Sequence, residues 1–180
     1  MKNHTDYVYK IIELKNKNLV SCSWDSSIIF YIKDNNEYKQ DYKISTNGTC
    51  SSIIQTKDNE ICYSEIDDNK ICFFDFLERK LKASISNISK CNGIREWFIM
   101  IEENLLLIPG LDQISIINTE QYNLVRKINV PEQDEIWNCG ICILNQNMFL
   151  TGDGAKRIIQ WKIEEDNLMF AIIHISFLLF

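Results

Sequence analysis

Histidine and proline are scarce in this chain, which contains two of each among its 180 residues. The histidines, His4 and His174, are separated by most of the sequence, so a catalytic centre with a histidine base is hard to assemble. Two prolines and six glycines leave long segments free of residues that interrupt strands. These shortages argue against a histidine-dependent enzyme and favour extended regular structure.

An excess of basic residues is also missing, because the formal net charge is −6. Lys and Arg are scattered singly, so no surface for a nucleic-acid backbone is predicted. Acidic pairs occur at 67–68, 102–103 and 164–165. Each falls in or beside a predicted turn, where solvated loops are usual, and we expect no acid–base role for them.

No secretory signal opens the sequence, and its seven cysteines are an odd number, so we expect free thiols in a cytoplasmic protein. One C-x-x-C pattern is present, at 139–142. It lacks a second pair of zinc ligands, and residues three apart in a strand point to opposite faces. We expect these cysteines, like Cys22, Cys62 and Cys72, to fill the core, and we predict neither a metal nor a cofactor.

A four-residue apolar patch recurs through the chain at 28–31, 71–74, 114–117 and 158–161. The last residues of these patches are 43, 43 and 44 positions apart. A fixed period of this size indicates stacked copies of one supersecondary unit. The approximate repeats are 4–45, 46–88, 89–130 and 131–175.

Each repeat contains short runs rich in β-branched and aromatic residues, bounded by Asn, Asp and Ser. In the first repeat the runs are 8–12, 19–23, 28–32 and a weaker one at 40–45, after a polar stretch at 33–37. The second repeat begins with a run at 50–54. No segment shows a helical 3.6-residue spacing over helical length, so an all-β chain with four strands per repeat is predicted.

Four antiparallel strands in a unit of about 43 residues resemble the blade of a β-propeller of the WD40 class. The first repeat, with 4–8 followed by 19–31, is similar to a WD40 repeat almost position by position. The fourth resembles the same signature at 150–154 and 158–161, whereas the third resembles it weakly. The resemblance implies a divergent propeller domain over 1–180.

In that family a His, a Ser or Thr, an Asp and a Trp form a buried hydrogen-bonded network with a structural role. The resemblance assigns these places to the following residues: His4, Ser21 or Ser23, Asp25, with Tyr31 in the Trp position, Asp68 in repeat two and Trp161 in repeat four. Leu111 and Ala155 stand in the Asp position of repeats three and four, which departs from the family pattern.

The number of blades is the main departure, because WD40 propellers usually close a ring of about seven blades. An open arc of four would leave two uncovered faces and unpaired edges. Our leading explanation is that the chain is part of a larger propeller. It would then be either a truncated gene product or an arc completed by a second chain. A closed four-bladed ring is the alternative.

Two apolar features, one tryptophan and the C-terminal tail, are candidates for contact with a partner or a membrane. Trp24 lies at the rim of a hairpin and is a candidate partner-binding residue, although blade packing also explains it, as it does Trp97 and Trp137. The tail at 168–180 is almost entirely apolar but is shorter than the roughly 20 residues that span a bilayer. We expect it to supply strands rather than a membrane anchor.

The sequence therefore favours a non-catalytic protein–protein interaction scaffold whose partners are other proteins or peptides. Two alternatives stay open. One is an enzyme or small-molecule binder that uses the central channel, which needs polar side chains converging from the innermost strands near Val8, Cys50, Trp97 and Ile141. The other is a fragment attached to a membrane by its tail.

Overall fold

The computed structural model describes residues 3–88, 98–110, 113–129, 141–145, 148–152, 158–163 and 168–173. Every regular element in these ranges is a β-strand, which confirms the all-β prediction. No helix in the described part of the chain is long and apolar enough to cross a membrane. Several residues discussed above lie outside these ranges: Trp97, Leu111, Trp137, Cys139, Ala155 and His174.

The strands form four antiparallel sheets, and in each sheet the order across the sheet is the order along the chain. The bounds follow: sheet 1 contains β1 (Val8–Glu13), β2 (Leu19–Ser23), β3 (Ser27–Asp34) and β4 (Glu37–Ser45); sheet 2 contains β5 (Ile53–Lys57), β6 (Glu60–Glu65), β7 (Lys70–Asp75) and β8 (Lys80–Ser86); sheet 3 contains β9 (Ile99–Glu102), β10 (Leu105–Pro109), β11 (Gln113–Asn118) and β12 (Asn123–Asn129); sheet 4 contains β13 (Ile141–Asn145), β14 (Met148–Gly152), β15 (Ile158–Ile163) and β16 (Leu168–Ile173).

The hairpin between β3 and β4 is longer than predicted. The polar stretch at 33–37 was expected to separate two strands, but the strands pair as far as Asp34 and Glu37. Asn35 and Asn36 form the turn with φ angles of 47° and 70°. Asn tolerates this left-handed backbone, and a two-residue turn of this kind matches the twist of a hairpin.

The first strand of sheet 2 lies three residues later than predicted, because β5 begins at Ile53 rather than at residue 50. The hydroxyl of Ser64 accepts hydrogen bonds from the backbone N–H groups of Ser51 at 3.2 Å and Ser52 at 2.9 Å. A side chain therefore satisfies these donors in place of a regular ladder.

Three apolar clusters join successive sheets. Each combines side chains from facing sides of two neighbours, and the largest members are buried. The clusters contain, among others, Val20, Ile28, Phe30, Ile53 and Phe74 between sheets 1 and 2, Phe73, Ile88, Leu106 and Ile117 between sheets 2 and 3, and Leu107, Ile114, Phe149 and Trp161 between sheets 3 and 4. The sheets are thus stacked in chain order.

The outer face of sheet 4 differs from the faces inside the stack. Phe30, Phe73 and Ile116 occupy one register position in sheets 1 to 3, and each is buried against the next sheet. Gln160 has that position in sheet 4 and is half-buried. At the other end of the stack, Ile11 on the outer face of sheet 1 is 60% exposed, whereas Ser21 and Ile29 on the same face are buried. No described sheet covers either face.

Candidate functional site

The first repeat brings four of its predicted network residues together. His4 lies just before β1, and its Nδ1 is 3.0 Å from Asp25 Oδ2 in the β2–β3 turn. Its Nε2 is 2.7 Å from the hydroxyl of Ser21 in β2. Ser21 Oγ in turn lies 3.3 Å from the hydroxyl of Tyr31 in β3. A chain of hydrogen bonds thus runs from the turn into the sheet.

Asp25 is the charged member of this network, and its side chain is only 2% exposed. Burial opposes its charged form, but hydrogen bonds from Ser27, the backbone N–H of Thr5 and His4 outweigh that cost, so the pKa of Asp25 lies well below its usual range. Lys43 Nζ approaches the same carboxylate at 3.4 Å. Neither Ser27 nor Lys43 was predicted as a member of the network: Ser27 lies two residues after Asp25, and the β3–β4 pairing brings Lys43 to the turn.

Ser23 holds the turn itself rather than the histidine. Its hydroxyl donates to the carbonyl oxygen of Asp6 at 3.3 Å and accepts a hydrogen bond from the backbone N–H of Asp25 at 3.0 Å. Ser23 therefore ties the β2–β3 turn to the segment that leads into β1. Of the two serines predicted for one place, Ser21 contacts the imidazole and Ser23 contacts backbone.

In sheet 4, Trp161 donates its indole N–H to Thr151 Oγ1 at 2.9 Å. The strand register places this pair where Ser21 and Tyr31 lie in sheet 1. The same two positions carry Tyr63 and Phe74 in sheet 2, and Ile108 and Ile117 in sheet 3. The polar pair therefore occurs in sheets 1 and 4, and mainly apolar packing replaces it between them.

In sheet 2 the place predicted for Asp68 is taken by Asp67, because the β6–β7 turn is one residue longer than the β2–β3 turn. Asp67 Oδ2 accepts a hydrogen bond from Thr49 N at 2.7 Å, as Asp25 does from Thr5 N. Asp68 instead pairs with Lys70 at 2.8 Å. Gly48 stands beside Asp67 where a histidine would be expected, so no imidazole completes this network.

A second polar cluster joins sheets 2 and 3, and no motif predicted it. Glu60 is buried and accepts hydrogen bonds from the hydroxyls of Thr56 and Tyr122. Lys57 Nζ donates to the carbonyl oxygen of Thr119 at 2.8 Å and lies 4.5 Å from the centre of the Tyr122 ring. A cleft of about 560 Å³ opens beside it. This charged cluster therefore links sheet 2 to sheet 3.

The thiols divide into buried and exposed groups. Cys22, Cys50, Cys62 and Cys72 are buried, and burial raises the pKa of the Cys72 thiol to about 11. The prediction that Cys142 fills the core is wrong, because it is exposed. Its register partner is Leu150, on the outer face of sheet 4. Within the described ranges, no three His, Cys, Asp or Glu side chains are grouped to hold a metal ion.

Trp24 belongs to an exposed patch that we call the aromatic patch, formed by Tyr7, Val8, Tyr9 and Trp24. The Trp24 ring stacks on Tyr9, with ring centres 5.1 Å apart, and meets Tyr7 edge-on at 5.9 Å. Trp24 is 39% exposed and Tyr7 is 72% exposed. The backbone N–H of Trp24 donates to the carbonyl oxygen of Tyr7 at 3.0 Å, which fixes the turn against β1.

No protein-family model matches this sequence, and no curated protein matches it. Solved structures that are similar to the chain include "Crystal structure of RRP9 WD40 repeats" and "Structure of U3-55K". In both comparisons the TM-score is 0.72, the sequence identity is 12%, and the match covers 93% of this chain and 52% of the other.

The chain thus spans about half the length of the solved structures that it matches. Its four sheets, each ordered as four consecutive antiparallel strands, correspond to their blades. At this identity the likeness establishes the fold and leaves the activity open. The chain has the fold of a partial WD40 β-propeller.

Proposed function

We propose that the protein is a non-catalytic interaction scaffold that binds other proteins or peptides. The observation that carries this proposal is the aromatic patch, in which Tyr7, Val8 and Trp24 are all exposed. Exposed Trp and Tyr side chains on a rigid support are typical anchors for protein partners. The hydrogen bonds around Asp25 and Ser23 give this patch such a support.

The polar network of sheet 1 supports a structural role for its residues. His4 and Asp25 are buried, and their polar atoms bond to Ser21, Ser27 and Thr5 inside the protein. A catalytic base must reach a substrate proton, and these atoms are already engaged with the protein itself. We therefore assign the network to holding the turn that carries Trp24.

An enzyme or small-molecule binder using the central channel is the alternative. Such a site needs several polar side chains on the first strand of each sheet. The strands β1, β5, β9 and β13 read VYKIIE, IIQTK, IMIE and ICILN, so most of their residues are apolar. Attachment to a membrane through the tail is the other alternative, and the pairing of β16 with β15 gives residues 168–173 a place in sheet 4 instead.

Affinity purification of the tagged full chain, with quantitative mass spectrometry, tests the proposal. The double variant Tyr7→Ala/Trp24→Ala removes the patch, and Leu77→Ala is the control, because Leu77 is a similarly exposed apolar side chain outside the patch. We expect partner proteins to be captured by the wild type and by Leu77→Ala, and to be depleted about tenfold or more with the double variant. Identical capture by all three proteins would contradict the proposal.

A further inference from the structure

The aromatic patch carries a chemical preference that follows from its rings and its charge. The faces of Trp and Tyr rings are negative, so they attract cations as well as apolar groups. Tyr9 stacks on Trp24, and Tyr7 meets Trp24 edge-on at an interplanar angle of 84°, so the exposed ring surface belongs mainly to Tyr7 and partly to Trp24. A flat cation can stack on this exposed ring surface.

A carboxylate is next to Tyr7 in the chain. Asp6 is exposed, and its Oδ1 accepts a hydrogen bond from the backbone N–H of Tyr7 at 2.7 Å. This bond fixes the acid one residue from the most exposed ring of the patch. None of the four residues that line the patch is basic, and the whole chain carries a net charge of −6. The local and the overall charge both favour a cationic partner group.

We propose that the aromatic patch binds an arginine side chain of a partner protein, which rests on the scaffold function proposed above. The planar guanidinium stacks on aromatic faces and donates hydrogen bonds to carboxylates, so one arginine can use both the aromatic patch and Asp6. Lysine offers a compact, strongly hydrated charge and makes the weaker match. The partner is thus a protein segment with an exposed arginine.

Surface plasmon resonance with the immobilised full chain tests this preference. The probes are four peptides of the form acetyl-Gly-Gly-X-Gly-Gly-amide, in which X is arginine, lysine, norleucine or proline. We expect the arginine peptide to bind about fivefold more tightly than the norleucine peptide, in keeping with a cation–aromatic contact at a partly exposed site. Equal binding of the norleucine or proline peptide would overturn the proposal in favour of a merely apolar docking site.

Three variants tie the binding to the patch. Trp24→Ala should abolish the preference for arginine, and Asp6→Asn should weaken arginine binding about two- to threefold and reduce its salt dependence. Tyr7→Ala provides a second test, because Tyr7 is largely exposed and its loss should leave the fold intact. Leu77→Ala should bind as the wild type does. Unchanged arginine binding by Trp24→Ala, with an unchanged melting temperature, would overturn the proposal.

The two proposals fail in different ways. If the double variant Tyr7→Ala/Trp24→Ala loses its captured proteins while the four peptides bind alike, the scaffold function stands and the arginine preference is wrong. If the wild type and the double variant capture the same proteins, the patch has no scaffold role.

Discussion

At the scale of single residues, Asp25 is the charge on which the sheet 1 network depends. Asp25→Asn keeps the shape of the side chain but removes the charge that Thr5 N, Ser27 Oγ and His4 Nδ1 bond to. Hydrogen bonds to a charged group contribute about 1.5–3 kcal/mol each, so we expect the free energy of unfolding at pH 7 to fall by about 2 kcal/mol. Urea unfolding followed by tryptophan fluorescence measures it.

The same residue predicts a pH dependence. The folded state holds the pKa of Asp25 well below its usual range, whereas the unfolded chain takes up the proton near the ordinary value of about 3.9. Between these values the unfolded state binds more protons, so stability falls as pH falls. The advantage of the wild type over Asp25→Asn should be full above about pH 5 and shrink steadily towards pH 2. A difference that stays constant over this range would contradict the assignment.

The close approach of Gly48 to Asp67 leads to a second prediction for a single residue. A Cβ at Gly48 would lie 2.7 Å from Asp67 Oδ2 and 3.0 Å from Asp67 Cβ. Gly48→Ala must therefore push Asp67 away from Thr49 N, and we expect a loss of about 1–3 kcal/mol in unfolding free energy. Gly152→Ala is the matched control, since no atom lies within 4 Å of its added Cβ. Adding Asp67→Ala to Gly48→Ala should relieve the steric part of the loss, and no relief would argue against the contact.

The sequence predicted His4, Ser21, Asp25 and Tyr31 as one network, and the structure places them in contact. These residues could be predicted because the strand register fixes their spacing along the chain, and each repeat has nearly the same register. Asp68 pairs with Lys70 instead, because one extra turn residue puts Asp67 at the position that accepts the hydrogen bond from Thr49 N. Lys43 could not be found from spacing, since its approach to Asp25 depends on how β3 and β4 pair.

At the scale of strands and sheets, the clusters between sheets supply the cohesion. Phe73 is fully buried between sheets 2 and 3, and its ring lies 5.0 Å from that of Tyr122. Phe73→Ala should lower the free energy of unfolding by about 3–5 kcal/mol, because it removes buried apolar area and leaves a cavity. Equilibrium urea unfolding gives the value.

Leu77→Ala is the control for this change, because Leu77 is 71% exposed and its loss should cost no more than about 0.5 kcal/mol. A cost below about 1 kcal/mol for Phe73→Ala would mean that sheets 2 and 3 are not packed together as described.

The sequence predicted most strands because β-branched runs and polar turns recur with the repeat. The predicted strand bounds were wrong where a turn conformation or a side-chain hydrogen bond determines the structure instead of the apolar pattern. The polar residues around Asn35 and Asn36 suggested a loop between two strands. In the structure these two residues form a tight hairpin turn, because both adopt the left-handed backbone that such a turn needs. At 50–52 the apolar and small residues suggested a strand, but the Ser64 hydroxyl accepts hydrogen bonds from the backbone N–H groups of Ser51 and Ser52, and β5 begins only at Ile53. Such side-chain bonds follow from three-dimensional packing.

At the scale of the whole molecule, the stack has two outer faces that no described sheet covers. Gln160 replaces the buried Phe30, Phe73 and Ile116 at one end, and at the other end Ile11 is exposed although Ile29 on the same face is buried. Half-apolar faces of this kind favour contact with further sheets. We propose that additional blades cover them, either from further residues of a longer protein or from a second chain.

We propose that these four sheets form an open arc rather than a closed ring. Size-exclusion chromatography with light scattering on the purified 180-residue chain, over a range of concentrations, tests it directly. We predict an average mass above 21.2 kDa that rises with concentration, because uncovered faces associate. A constant mass of 21.2 kDa, with one sharp thermal transition, would show that the sheets need no further cover and would contradict the claim.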